Sequence, residues 1–124
     1  MEEIADEDEL YRRLLSMHVN EDGTVNSAAF KHRGKPDREI SVDLARRTTM
    51  AETLDRAPHR GFGLGLLMAA SARQIGFDVR YDPQPDNGAH CLIVGENTKQ
   101  RCRLLAEATV VCIVPPSREP PVEK

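Results

Sequence analysis

Four short stretches of this chain have the period or the apolar density of a β-strand, and each is closed off by glycine, proline or a turn pair. In "EISVDLA" the apolar Ile40, Val42 and Leu44 alternate with Glu39, Ser41 and Asp43, which marks a strand with one face buried. Asp43 then falls on the face opposite the core. Phe77, Val79 and Tyr81 alternate with Asp78 and Arg80 up to a turn at Pro83 and Pro85. "AHCLIVG" reads as a more fully buried strand, and the β-branched "TVVCIV" as a central or well-covered one.

Helical signals lie between these strands. Thr49 is placed to cap a helix, and Glu52 three residues later completes a capping box; Pro58 stops that helix near Ala57. After Gly95, Asn97 or Thr98 can cap a second helix carrying Leu104, Leu105 and Ala108. Two segments fit more than one period. From Asp8 to Val19, Leu10, Leu14 and Leu15 with Tyr11 fit a helical stripe, and "LYRRLL" also fits a short strand; helix is the preferred reading. The row Leu64 to Ala72 fits a strand, a helix, or a strand over Leu64 to Met68 that turns into a helix ended by Gly76; the last is preferred. "NEDGTVNSAAFKHRGKPDRE" carries two turn signals and reads as a surface excursion anchored by Phe30.

With 124 residues the chain is the size of one domain. The expected fold is α+β: a small single domain over residues 10–114, with a mixed or antiparallel sheet of about four or five strands and two or three helices. Residues 1–9 read as an acidic flexible N-terminus and residues 115–124 as a Pro-rich flexible tail. Six of the 20 acids fall in the first nine residues, leaving 14 acids against 17 basic residues in the rest. So mild a balance argues against nucleic acid, as does an aromatic content of 4%. There is no run of about 18 apolar residues and no signal-peptide pattern, so a membrane span or export is not expected. Cys91, Cys102 and Cys112 are odd in number and lack the spacing of a zinc site. They read as free thiols in a reducing cytoplasm, and no metal is expected.

"GFGLG" has the spacing of a dinucleotide loop, but Leu66 stands where the third glycine belongs, and no P-loop is present. The three glycines read as permitting close packing or a bulge, and no cofactor is expected. The polar positions that could converge are Ser27, Lys31, Asp43, Asp86, Asn87 and His90. A histidine oriented by a carboxylate is the usual general base, and a lysine nearby can offset developing negative charge. Against that, Asn87-Gly88 is a strong hairpin signal, which would place His90 simply at the rim of the next strand. Arg12 and Arg13 beside Tyr11 can fork onto a phosphate or carboxylate, or form a solvated face. Cys91 lies in an apolar run, where burial makes a thiol inert.

"LYRRL", "DGTVNSAAFK", "ISVDLA", "GFGL" and "DPQPDNGAHCLIVG" followed by "TK" together resemble a group of small bacterial proteins of unknown function in which a similar order recurs. The resemblance runs from Leu10 to Val111. In that group a proline often stands between the Asn and the Ala of the Asn-x-Ala-His block; here it is Gly88. The resemblance implies a bacterial, intracellular single domain and says nothing of reaction type.

Two functions are expected from these features. The first is a small interaction or accessory module that binds a partner, protein or small ligand, through Arg12, Arg13, Ser27, Asp86 and Asn87, with the "HRGKPDRE" loop exposed. The alternative is a small enzyme acting on a phosphate-bearing or nucleotide-derived substrate. In it His90 is the acid/base, Asp43 its orienting carboxylate, and Lys31 with Arg12 the electrostatic clamp. Unpaired strand edges leave room for a homodimer.

Overall fold

The computed structural model describes residues 3–31 and 39–116. The basic loop over residues 32–38 and the tail from residue 117 onward lie outside the described residues. Among the described residues six strands form one sheet: β1 (Glu9–Leu14), β2 (Glu39–Leu44), β3 (Gly63–Met68), β4 (Asp78–Tyr81), β5 (His90–Val94) and β6 (Val110–Ile113). Their order is β4-β5-β2-β1-β3-β6, and every pairing is antiparallel. Three α-helices among the described residues complete the α+β fold: α1 (Met50–Asp55), α2 (Ala69–Ile75) and α3 (Lys99–Ala108).

The sheet therefore has six strands and not the expected four or five, because the segment read as the first helix is β1. Leu10 and Leu14 are four apart, a spacing that both the helical and the strand period satisfy. What hides the strand is Arg12, which stands between them on the core face, where alternation calls for an apolar residue. Its guanidinium lies 5.7 Å from the Phe30 ring centre and donates to the Ala29 carbonyl from Nε and Nη2, at 3.0 and 2.8 Å, and to the Ser41 carbonyl at 2.8 Å. The side chain is thus satisfied by backbone acceptors while its stem packs as a hydrophobe. Burial, helped by Arg13 next to it, draws its pKa down to about 10.

One face of the sheet carries Leu10, Leu14, Ile40, Val42, Leu44, Leu67, Cys91 and Ile93, which with Phe30, Ala72, Cys102 and Leu105 make one buried cluster. Lys99–Ala108, Ala69–Ile75 and the 3-10 turn Ser27–Phe30 supply its lid. Phe30 is fully buried. The capping box forms at α1: Thr49 Oγ1 accepts from the Glu52 amide at 3.1 Å, and the Thr49 amide donates to Glu52 Oε1 at 3.1 Å. Thr98 caps α3, while Asn97 donates to the Phe30 carbonyl at 2.8 Å. The strand-to-helix reading holds at β3 and α2, where Gly76 ends the helix with φ of +120°, a conformation that suits only glycine well. A Cβ at Gly63 would overlap the Ile113 carbonyl and Pro115, so this glycine lets β6 approach.

Two expectations change at the ends of the chain. The acidic start, read as a flexible N-terminus, is tied to the domain where it is described. Ile4 is buried, Asp8 pairs with Arg46 at 2.8 Å and Asp6 with Arg73 at 2.6 Å. "TVVCIV" forms β6, which is not central but the last strand of the sheet, with Val110 65% exposed.

Candidate functional site

β2 and β5 pair so that Asp43 faces His90, and β1 sets Tyr11 on the other side of Asp43. The three residues make a row across the face of the sheet opposite the main core, since directly paired residues share a face. α1 lies against this face and brings Thr53, with Arg56 following its last turn. From the other side comes the connection between β4 and β5. Tyr11, Arg13, Asp43, Thr53, Asn87 and His90 line a cleft of about 100 Å³ there.

The connection folds differently from the Asn-Gly hairpin that the sequence suggests. Gln84 and Asn87 exchange both backbone hydrogen bonds, at 2.9 and 3.0 Å, so Pro85 and Asp86 are the two central turn residues. Proline suits the first central position of a type I turn. Gly88 does not adopt a positive φ, so the Asn87-Gly88 pair is not a type I′ turn. Asn87 is used through its side chain instead. Its Oδ1 accepts from the Ala89 amide at 3.0 Å and its Nδ2 donates to Asp43 Oδ1 at 2.8 Å.

Asp43 is the hub of the site. Its Oδ2 accepts from Thr53 Oγ1 and from Arg56 Nη2, each at 2.8 Å, and its side chain is 7% exposed. Burial alone would push this carboxyl up; the bonds from Arg56, Asn87 and Thr53 outweigh it and hold the group below the ordinary carboxylate range. Arg56 also donates to Thr48 Oγ1 at 2.8 Å, whereas its buried Nε has no partner among the described residues. Asp43 thus binds β2 to α1 and to the connection before β5, and both of its oxygens are committed.

His90 takes its partner from another residue. Nδ1 lies 3.0 Å from the Asp82 carbonyl and 3.1 Å from Asp82 Oδ2. Both are acceptors, so Nδ1 carries the proton, and Nε2 is left with the lone pair in the neutral ring. His90 and Asp82 form the hydrogen-bonded pair that general-base chemistry uses, with Asp82 in the position that the sequence reading assigned to Asp43.

The remaining residues scatter. Lys31 and Ser27 sit beyond the core lid, beside a wide surface hollow of about 480 Å³ that Lys99, Gln100 and Arg103 complete. Arg12 is occupied with carbonyls, and Asp86 is exposed at the turn. Arg13 borders the cleft and donates to the Thr53 carbonyl at 3.3 Å. So Asp43, Asn87, Arg13 and His90 meet, Arg12 borders the same cleft with its guanidinium spent on carbonyls, and Lys31, Ser27 and Asp86 do not join them. Thr53, Arg56 and Asp82 are the members that sequence reasoning missed. An arginine just past a capped helix, four residues from the cap's glutamate, was the only hint of Arg56.

Cys91 lies under this site on the core side and is fully buried; burial drives its thiol up to about 12, out of reach of nucleophilic chemistry at neutral pH. Among the described residues no helix is long and apolar enough to cross a membrane. Comparison with protein-family models, with curated proteins and with solved structures gave no match.

Proposed function

We propose that this protein is a small intracellular bacterial interaction module that binds a protein partner on the shelf formed by residues 82–90 beside Arg13. The observation that carries this reading is the commitment of Asp43. The one buried carboxylate of the cleft holds three protein donors and serves to order the connection, not to act on a substrate. The cleft, at about 100 Å³, is also below the roughly 300–1,000 Å³ of small-molecule sites. It can take one side chain of a partner. The resemblance to small bacterial proteins and the free thiols fit a reducing cytoplasm.

The test is capture from a bacterial lysate with wild-type bait and with an Arg13→Ala, His90→Ala bait shown to be folded by circular dichroism. A stoichiometric protein partner retained by the first and lost from the second is the expected result. Equal capture by both baits would remove the shelf from the interface and overturn the proposal.

A second reading is favoured by one contact, the His90–Asp82 pair. In it the protein is a small enzyme on a phosphate-bearing or nucleotide-derived substrate, with His90 Nε2 as the base and Arg13 as the cation beside it. Hydrolysis of a phosphate ester that disappears in a folded His90→Ala variant, and falls with Asp82→Asn, would replace the first reading by this one.

A further inference from the structure

The two edges of the sheet are unlike. β4 carries Asp78 and Arg80, which pair with each other at 2.8 Å, and charges of this kind blunt an edge against further pairing. β6 carries no charge from Val110 through Pro116. Among the described residues only three large hydrophobic side chains are exposed. Two of them, Val110 at 65% and Val114 at 75%, are on this strand and its continuation, with the exposed Cys112 between them. No described strand pairs with its outer side. An uncharged β-branched edge left open in this way is a template for another strand.

The sequence of the edge indicates which strand. Val110-Val111-Cys112-Ile113-Val114 reads nearly the same in both directions. Two copies laid antiparallel with Cys112 at the twofold axis would match Val110 with Val114, Val111 with Ile113, and Cys112 with itself. Such an isologous contact is the commonest form of homodimer, and here it brings no charge against charge at any matched position. Cys112 also has no partner on β3, because the pairing shifts register between Leu64 and Gly65.

We infer that β6 is the dimerisation edge of this protein, pairing antiparallel with β6 of a second copy about Cys112 and joining two six-stranded sheets. Five matched residues per chain fall short of a standard interface of about 1,200–2,000 Å². The bulge at Cys112 further limits the flat run. The dimer is therefore weak and reversible, with association in the micromolar range. It uses the edge farthest from the β4–β5 connection, so the shelf stays open in the dimer.

The experiment is sedimentation of the full chain up to about 100 μM, where a micromolar dimer is mostly assembled, together with cross-linking by the thiol oxidant diamide. The wild type should sediment as a dimer at the top of the range and give a covalent dimer through Cys112, absent in Cys112→Ser. The Val110→Lys, Val114→Lys variant places like charges across the pair and should be monomeric. The Val110→Lys, Val114→Glu variant places Lys opposite Glu and should dimerise again. Val110, Cys112 and Val114 are all solvent-exposed, and circular dichroism checks that each variant is folded. A wild type that stays monomeric at about 100 μM, a dimer indifferent to the two like charges, or a charge-matched variant that fails to regain it would each overturn the inference.

Discussion

Asn87 Nδ2 donates to Asp43 Oδ1 at 2.8 Å across 44 residues of sequence, and this bond fastens the β4–β5 connection to the middle of the sheet. Beside it stand backbone bonds from the Leu44 amide to the Ala89 carbonyl at 2.8 Å and from the Asp82 amide to the His90 carbonyl at 2.9 Å, the Asn87 side chain to the Ala89 amide, the Tyr81 hydroxyl to the Gly88 carbonyl at 2.6 Å, and the His90–Asp82 pair. Asn87→Ala should cost about 1–3 kcal/mol, because it leaves a buried acceptor with one donor fewer. It should also raise the Asp43 carboxyl, which loses one of the three bonds that depress it. Urea unfolding gives the first quantity and carbon-detected titration of Asp43 the second. No change in either would show that the loop is held by other contacts.

The depressed Asp43 carboxyl makes stability depend on acid. A group whose folded value lies below its unfolded value of 3.8 contributes fully above that value and loses its contribution as the pH falls through the folded one. Asp43→Asn should abolish that part of the acid transition. At neutral pH it should cost about 2–4 kcal/mol, toward the lower side for a buried pair because Arg56 keeps 25% of its side chain in solvent. Urea midpoints of wild type and variant at pH 7 and at about pH 3 decide it. Curves separated by the same amount at both pH values would contradict the assignment.

Much of this architecture is legible in the residues, and the failures share one cause. The strand over Glu39–Leu44 and the capped helix after Thr49 are visible because each obeys a single local rule, alternation in one and a capping box in the other. β1 is obscured because a cation occupies a core-facing position, which is tolerated only when distant carbonyls, those of Ala29 and Ser41, arrive to accept from it. The exposed edge at β6 is likewise invisible, since a strand's composition reports how apolar it is and not which neighbours the topology supplies. At the site, Asp43 on the non-core face and His90 at the start of a strand follow from pattern. That His90 is served by Asp82, and Asp43 by Asn87, depends on a turn centred one residue pair earlier than the sequence suggests, and that Thr53 and Arg56 reach Asp43 depends on where α1 packs.

Arg12 tests the reading of β1. Its fork makes three bonds to two carbonyls, a geometry that the single ammonium of lysine cannot reproduce. Arg12→Lys should therefore destabilise by about 2–3 kcal/mol despite keeping the charge. Arg12→Met, which keeps the stem and leaves both carbonyls without this donor, should fall in the same range. Urea midpoints of the two variants are the measurement. A loss within about 0.5 kcal/mol for Arg12→Lys would mean that charge and not the fork matters.

His18 sets a second pH sensitivity, at higher pH than Asp43. It closes the 3-10 turn Ser16–His18, where its Nδ1 lies 2.9 Å from the Leu15 amide. The amide can only donate, so Nδ1 must keep its lone pair, and protonation there breaks the bond. Burial, with Arg12 adding repulsion, holds its pKa below the unfolded value of 6.5. The unfolded chain then takes up the proton first, so stability is complete above pH 6.5 and declines as the pH falls toward the lower folded value. The melting temperature of the wild type should drop between pH 6.5 and about pH 5, and the slope should flatten in His18→Gln, which cannot titrate. Parallel slopes for the two proteins over that window would mean that His18 titrates equally in the folded and unfolded states, and the turn would not be the acid-sensitive element.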